Sequence, residues 1–134
     1  MCAIERPGKD YRIVVEVKRE PHRRGRYATE KFTIPDNSRI SWTTFKKRRI
    51  IPIIPRSSAL VIYLRNPETH KVQKKSMPIH KGKIKVRKNK SSSAVIHRGG
   101  TYYLDIRWGS LVRQFEVRVE ERVNIESGAV EKVD

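Results

Sequence analysis

The chain has 134 residues and 15.7 kDa, the length of one domain, with 37% apolar and 34% charged residues and a net charge of +17 from 31 Lys plus Arg against 14 Asp plus Glu. Val and Ile number 27 while Leu and Ala number 9, so the apolar content is concentrated in β-formers, which excludes a helical bundle and a disordered polycation. A single cysteine, Cys2, provides neither an intramolecular disulfide nor a cysteine-based zinc site, and no apolar run approaches the ~20 residues of a membrane-crossing helix.

Tyr11 to Glu20 alternates Ile13, Val15 and Val17 with Arg12, Glu16 and Lys18, the period of a half-buried strand. Pro21 to Arg26 interrupts before Phe32 and Ile34 resume the pattern, which predicts a long hairpin over 11–34. Pro35-Asp36-Asn37-Ser38 is turn chemistry, and Ile40 with Trp42 begins a short third strand. Lys46-Lys47-Arg48-Arg49 breaks it, and the two prolines of Ile50 to Pro55 mark an edge or crossover. Ala59 to Leu64 is continuously apolar, as in a core strand covered on both faces; Asn66 to His70 is a turn, and Lys71 to Met77 returns antiparallel. Lys81, Lys83, Lys85 and Arg87 alternate with Gly82, Ile84, Val86 and Lys88, so an extended backbone puts four cations on one face and Ile84 and Val86 inward. Lys90 and Ser91-Ser92-Ser93 read as a loop, and Ala94-Val95-Ile96 as a short strand or bridge. Tyr102, Leu104, Ile106 and Trp108 share one face, Gly109-Ser110 gives a two-residue turn, and Phe115, Val117 and Val119 continue the pattern, which predicts a hairpin over 101–120.

Seven or eight short strands, turn signals between them and no amphipathic helix predict an all-β fold. The expected form is an antiparallel β-sandwich over residues 1–122, followed by an acidic, loose tail over 123–134. A small closed barrel of the OB or SH3-like kind is the competing architecture. Gly100-Thr101-Tyr102-Tyr103-Leu104-Asp105-Ile106-Arg107, followed by Gly109 and Phe115-Glu116-Val117-Arg118-Val119, resembles the closing hairpin of prokaryotic immunoglobulin-like domains over about twenty residues. The resemblance implies that the Tyr102 hydroxyl ties a corner and that Leu104 stands where antibody domains carry a core cysteine. It also implies a binding or scaffolding role.

The charge is unevenly distributed. Residues 1–40 carry +4, residues 41–100 carry sixteen cations and only Glu68, and residues 101–134 carry −2. At that density the central cations repel one another unless an outside anion neutralises them, which is the electrostatic footprint of a nucleic-acid binder. The contact set predicted for phosphate is a loop clamp of Lys46, Lys47, Arg48 and Arg49 with a stripe of Lys81, Lys83, Lys85, Arg87, Lys88 and Lys90. Tyr63, Tyr103 and Trp42 are candidates for base stacking, against a core role for Trp42 and one tyrosine.

Catalytic patterns are absent from the sequence. His22, His70, His80 and His97 lack metal-ligand spacing, and Glu68 is the only acid between residues 37 and 104. Asp105 and Glu116, on the polar sides of the last two strands, read as partners of Arg107, Arg113 and Arg118 in cross-strand ion pairs. The expectation is therefore a non-enzymatic nucleic-acid-binding β-domain with no cofactor. Its alternative is a virion or multi-subunit scaffold component whose basic face docks on an acidic partner, with the acidic tail docking on a neighbouring copy. Charges at Glu5, Arg6, Lys9, Asp10 and Arg12 argue against a signal peptide, so the cytoplasm is the expected compartment, with a virion as the alternative.

Overall fold

A computed structural model describes residues 11–46, 59–87 and 90–123. It contains nine strands: β1 (Tyr11–Arg19), β2 (Gly25–Ala28), β3 (Phe32–Ile34), β4 (Ser38–Lys46), β5 (Leu60–Arg65), β6 (Lys83–Val86), β7 (Lys90–Ile96), β8 (Gly100–Trp108) and β9 (Val112–Arg122). No described residue is helical. The strands form two antiparallel sheets, sheet one in the order β1-β9-β4-β7 and sheet two in the order β2-β8-β5-β6, with β3 also on β8.

β2 and β3 act as one bent strand. Ala28 lies opposite Asp105 and Phe32 opposite Tyr102, so three residues face two, a bulge held where Thr29 donates its N–H to the Leu104 carbonyl at 3.0 Å. Counting them together, the first strand pairs with the last, the second with the seventh, the third with the sixth and the fourth with the fifth. That nested ribbon, wound so that β4 also pairs with β9 and β5 with β8, is a jelly roll.

Period-2 patterning supplies the core. Ile40 and Trp42, Leu60, Ile62 and Leu64, Ile84 and Val86, Tyr102, Leu104 and Ile106, and Phe115, Val117 and Val119 meet between the sheets. Ile106, fully buried, is the kind of position where truncation to Ala costs roughly 2–5 kcal/mol.

Four expectations about pairing change. β1 pairs with β9 and not with β2 or β3, so the 11–34 hairpin does not form. Residues 71–77 make turns with a single bridge from Val72 to Arg65, because Val72 and Met77 are too few apolar side chains to hold a strand on the sandwich. Lys90 to Ile96 is one strand, its serines paired along β4. β8 and β9 lie in different sheets, joined by an arch at Gly109-Ser110, whereas the last two strands of an immunoglobulin-type domain share a sheet. The reason is burial: these strands carry the richest apolar faces, and each becomes central in its own sheet so that the faces stack across the core. The Trp108 and Phe115 rings meet there at 5.0 Å between centroids. The 50–55 hexamer and the 124–134 part of the tail lie outside the described residues.

Side chains close two corners of the sandwich. The Tyr102 hydroxyl donates to the Arg98 carbonyl at 2.6 Å and lies 2.8 Å from Ser76 Oγ, and Leu104 is fully buried. Asp36 Oδ1 accepts the Gly99 N–H at 2.6 Å beside the 35–38 turn, where Asn37 has a positive φ. Gly82 opens β6 at φ +76°, and a Cβ there would lie 2.6 Å from Val72 Cγ1, so only glycine fits.

Candidate nucleic-acid interface

The two outer faces of the sandwich differ in charge. On sheet one, Lys18, Arg39 and Arg118 are met by Glu16, Glu116 and Glu120: Arg118 reaches Glu16 at 2.8 Å and Glu116 at 3.2 Å, Lys18 reaches Glu116 at 3.5 Å, and Arg39 reaches Glu120 at 2.6 Å. This face is a balanced ladder of ion pairs.

Sheet two is different. Antiparallel register lines up Lys83, Tyr63, Asp105 and Ala28 in one row across β6, β5, β8 and β2, and Lys85, Val61, Arg107 and Arg26 in the next. Arg65 and Tyr103 stand opposite each other one step further along. Five cations therefore share this face with one carboxylate among the described residues.

That carboxylate organises the centre. Asp105 is 2% exposed and accepts from Arg65 Nε at 2.9 Å and Arg107 Nη2 at 3.0 Å, with Arg26 Nη2 at 3.9 Å. Burial pushes its carboxyl up, but hydrogen bonds from Arg107 and Arg65 and the charge of both outweigh that, holding it below its ordinary value. The hydrogen bond to Asp105 likewise raises the Arg107 guanidinium against its partial desolvation. Around the half-buried Tyr63 ring stand Arg65 at 4.7 Å, Arg107 at 5.2 Å and Lys83 at 5.7 Å from the centroid. The Tyr103 hydroxyl lies 2.9 Å from His70 Nδ1.

The stripe forms in part where the alternation put it. Lys83 and Lys85 are exposed on β6 while Ile84 and Val86 are buried at 2% and 4%, and Arg87 is exposed just after the strand, but Lys81, also exposed, lies in the positive-φ turn before β6 and not on the extended row. Lys46 and Lys90 belong to sheet one: Lys90 begins β7 opposite Thr44, and Lys46 ends β4. The end of β4 and the starts of β5 and β7 gather with the end of β6 at one end of the sandwich, which brings the backbone of the clamp's first residue to the end of the stripe. Lys47, Arg48, Arg49 and Lys88 lie outside the described residues. Trp42 is a core residue, 6% exposed, and so is Tyr102, whereas Tyr63 and Tyr103 face outward.

Sequence reasoning missed Arg26, Arg65 and the anchoring by Asp105. The available signal was the odd positions of β5, Val61, Tyr63 and Arg65, which an apolar run read as covered on both faces concealed. Asp105 and Glu116 do pair with Arg107 and Arg118, but along their own strands and on opposite sheets; their cross-strand partners are Arg65 and Arg26 for Asp105 and Lys18 for Glu116.

Among the described residues, no three His, Cys, Asp or Glu gather as a metal site, and no helix is long and apolar enough to cross a membrane. Comparison with family models and with curated proteins finds no match.

Proposed function

We propose that the chain is a non-enzymatic nucleic-acid-binding domain that grips phosphates through the outer face of sheet two, largely without regard to sequence. The contrast between the faces carries this reading. Sheet one's outer charges neutralise one another, whereas sheet two leaves Arg26, Arg65, Lys83, Lys85 and Arg107 with Asp105 as the one carboxylate among the described residues of that face. A solvated face evolved only for solubility has no need to separate its signs in this way, and an array of Lys and Arg beside phosphate needs no base geometry to add affinity. The test is titration of RNA and DNA against the purified chain over a range of salt, with heparin as the polyanion control. Log affinity is expected to fall linearly with log salt, and Lys83→Glu with Lys85→Glu should reduce that slope by about 1–2 while weakening binding to every sequence. Unchanged binding in the double variant would remove sheet two from the contact.

A second reading, an assembly component of a virion or other scaffold, draws on two observations. The jelly-roll winding is shared by many capsid and lectin domains, an analogy of fold only. More specifically, β7 is an edge strand whose only charge is at its first residue, Lys90, and Ile79 and Val95, exposed at 83% and 41%, line one recess beside it. In this reading a second copy pairs at β7 while sheet two faces a polyanion or an acidic partner.

A further inference from the structure

Resting on the nucleic-acid reading above, we infer that sheet two is built for an unpaired strand, with phosphates following β6 and bases lying across Tyr63 and the guanidinium planes beside it. Three features of the face converge on this.

The first is spacing. Lys83 and Lys85 alternate along β6, and exposed Arg87 follows directly on its end. A strand rise of roughly 3.3 Å separates such side chains by about 6.6 Å, close to the interval between consecutive phosphates on an extended single strand. A straight row of cations at that repeat follows one backbone.

The second is what stands beside the row. Lys83 is in direct register with Tyr63, so a nucleotide whose phosphate meets Lys83 has its base over β5. Tyr63 and, diagonally across the β5 to β8 ladder, Tyr103 are the outward aromatics there, both half-buried. A duplex laid on this sheet would present only sugar and phosphate to those rings. An unpaired strand presents bases, which stack on aromatic rings and on arginine planes alike.

The third is preorganisation. Asp105 holds Arg65 and Arg107 by hydrogen bonds of 2.9 and 3.0 Å, and both guanidinium groups lie within 5.2 Å of the Tyr63 centroid. The flat groups are fixed before a ligand arrives, so little rotamer freedom remains to be lost on binding.

Fluorescence anisotropy of the full chain with a labelled oligothymidylate of on the order of 20 nucleotides, and with a duplex of the same length, tests the inference. The wild-type chain is expected to bind the single strand on the order of tenfold more tightly at equal salt, and Tyr63→Leu, folded by circular dichroism, should remove most of that preference without changing duplex affinity. Equal affinity for the two forms in the wild-type chain would overturn the inference, and needs no variant. So would a preference that Tyr63→Leu leaves intact. Both results would leave the phosphate-gripping reading standing, because that reading falls only if Lys83→Glu with Lys85→Glu has no effect on either form.

Discussion

Asp105 is the residue on which the cationic face depends. It is a carboxylate sealed from water among three arginines that are themselves partly exposed, at 18%, 43% and 68% for Arg65, Arg107 and Arg26. Asp105→Asn removes the buried charge and leaves arginines that water can reach, so the loss is that of charged hydrogen bonds, about 1.5–3 kcal/mol in chemical denaturation at pH 7. The pH dependence has a definite sign. Because the folded carboxyl titrates below its ordinary value of 3.8, its contribution is complete above that value and is lost as pH falls through the lower folded one. The gap between wild type and Asp105→Asn should therefore be constant from pH 7 to about 5 and close in stronger acid; a gap that widens in acid would contradict the ion-pair account. At this scale the sequence was legible for Lys83 and Lys85, whose alternation with Ile84 and Val86 fixes their direction. Tyr63, Arg65 and Asp105 were not legible as a group, because three-way proximity across β5 and β8 depends on which strands become neighbours.

Strand positions were legible wherever apolar and polar residues alternate, as in β1, β6, β8 and β9. Strand partners were not. A two-residue turn such as Gly109-Ser110 suits a hairpin locally, yet the strands it joins lie in different sheets, where Phe115, Val117 and Val119 and Leu104 and Ile106 are all buried in the core between them. Serine-rich β7 has the local pattern of a loop because Ser91 to Ser93 have no apolar side chains; pairing with β4 supplies the order instead. The edges are guarded unequally. β6 carries Lys83 and Lys85, and β1 has a register shift between Ile13 and Val15 with Arg12 and Lys18 alongside, whereas β7 presents serines, Ala94, Val95 and Ile96. If β7 is a contact between copies, native mass spectrometry should show an even multiple of 15.7 kDa that Ser93→Lys, on the outward side of that strand, returns to the single mass. A wild-type chain that stays at the single mass would dismiss pairing at this edge.

For the whole molecule, a net charge of +17 is a standing repulsion that an anion relieves. The melting temperature is therefore expected to rise with salt, and to rise further with an oligonucleotide. At about one hundred times its Kd, such a ligand adds about 2.7 kcal/mol, on the order of 10 °C for a domain of this size. Differential scanning calorimetry with and without the ligand reads both effects, and a melting point indifferent to either would place the charge outside the stability balance. The sandwich was legible from spacing and composition, but the winding was not, since nothing local in Tyr11 to Arg19 announces a partner about a hundred residues away. That distance has a consequence for how the chain comes to be folded. Sheet one requires β9 between β1 and β4, and sheet two requires β8 between β2 and β5, so a growing polypeptide can close only the β5 to β6 and β4 to β7 pairings before β8 and β9 exist. Such high contact order belongs to folding times of milliseconds to seconds. Until β8 and β9 arrive, the cationic middle of the chain emerges with at most its β4 to β7 and β5 to β6 pairings, and its charges stand without the two central strands that will join them to the rest of each sheet.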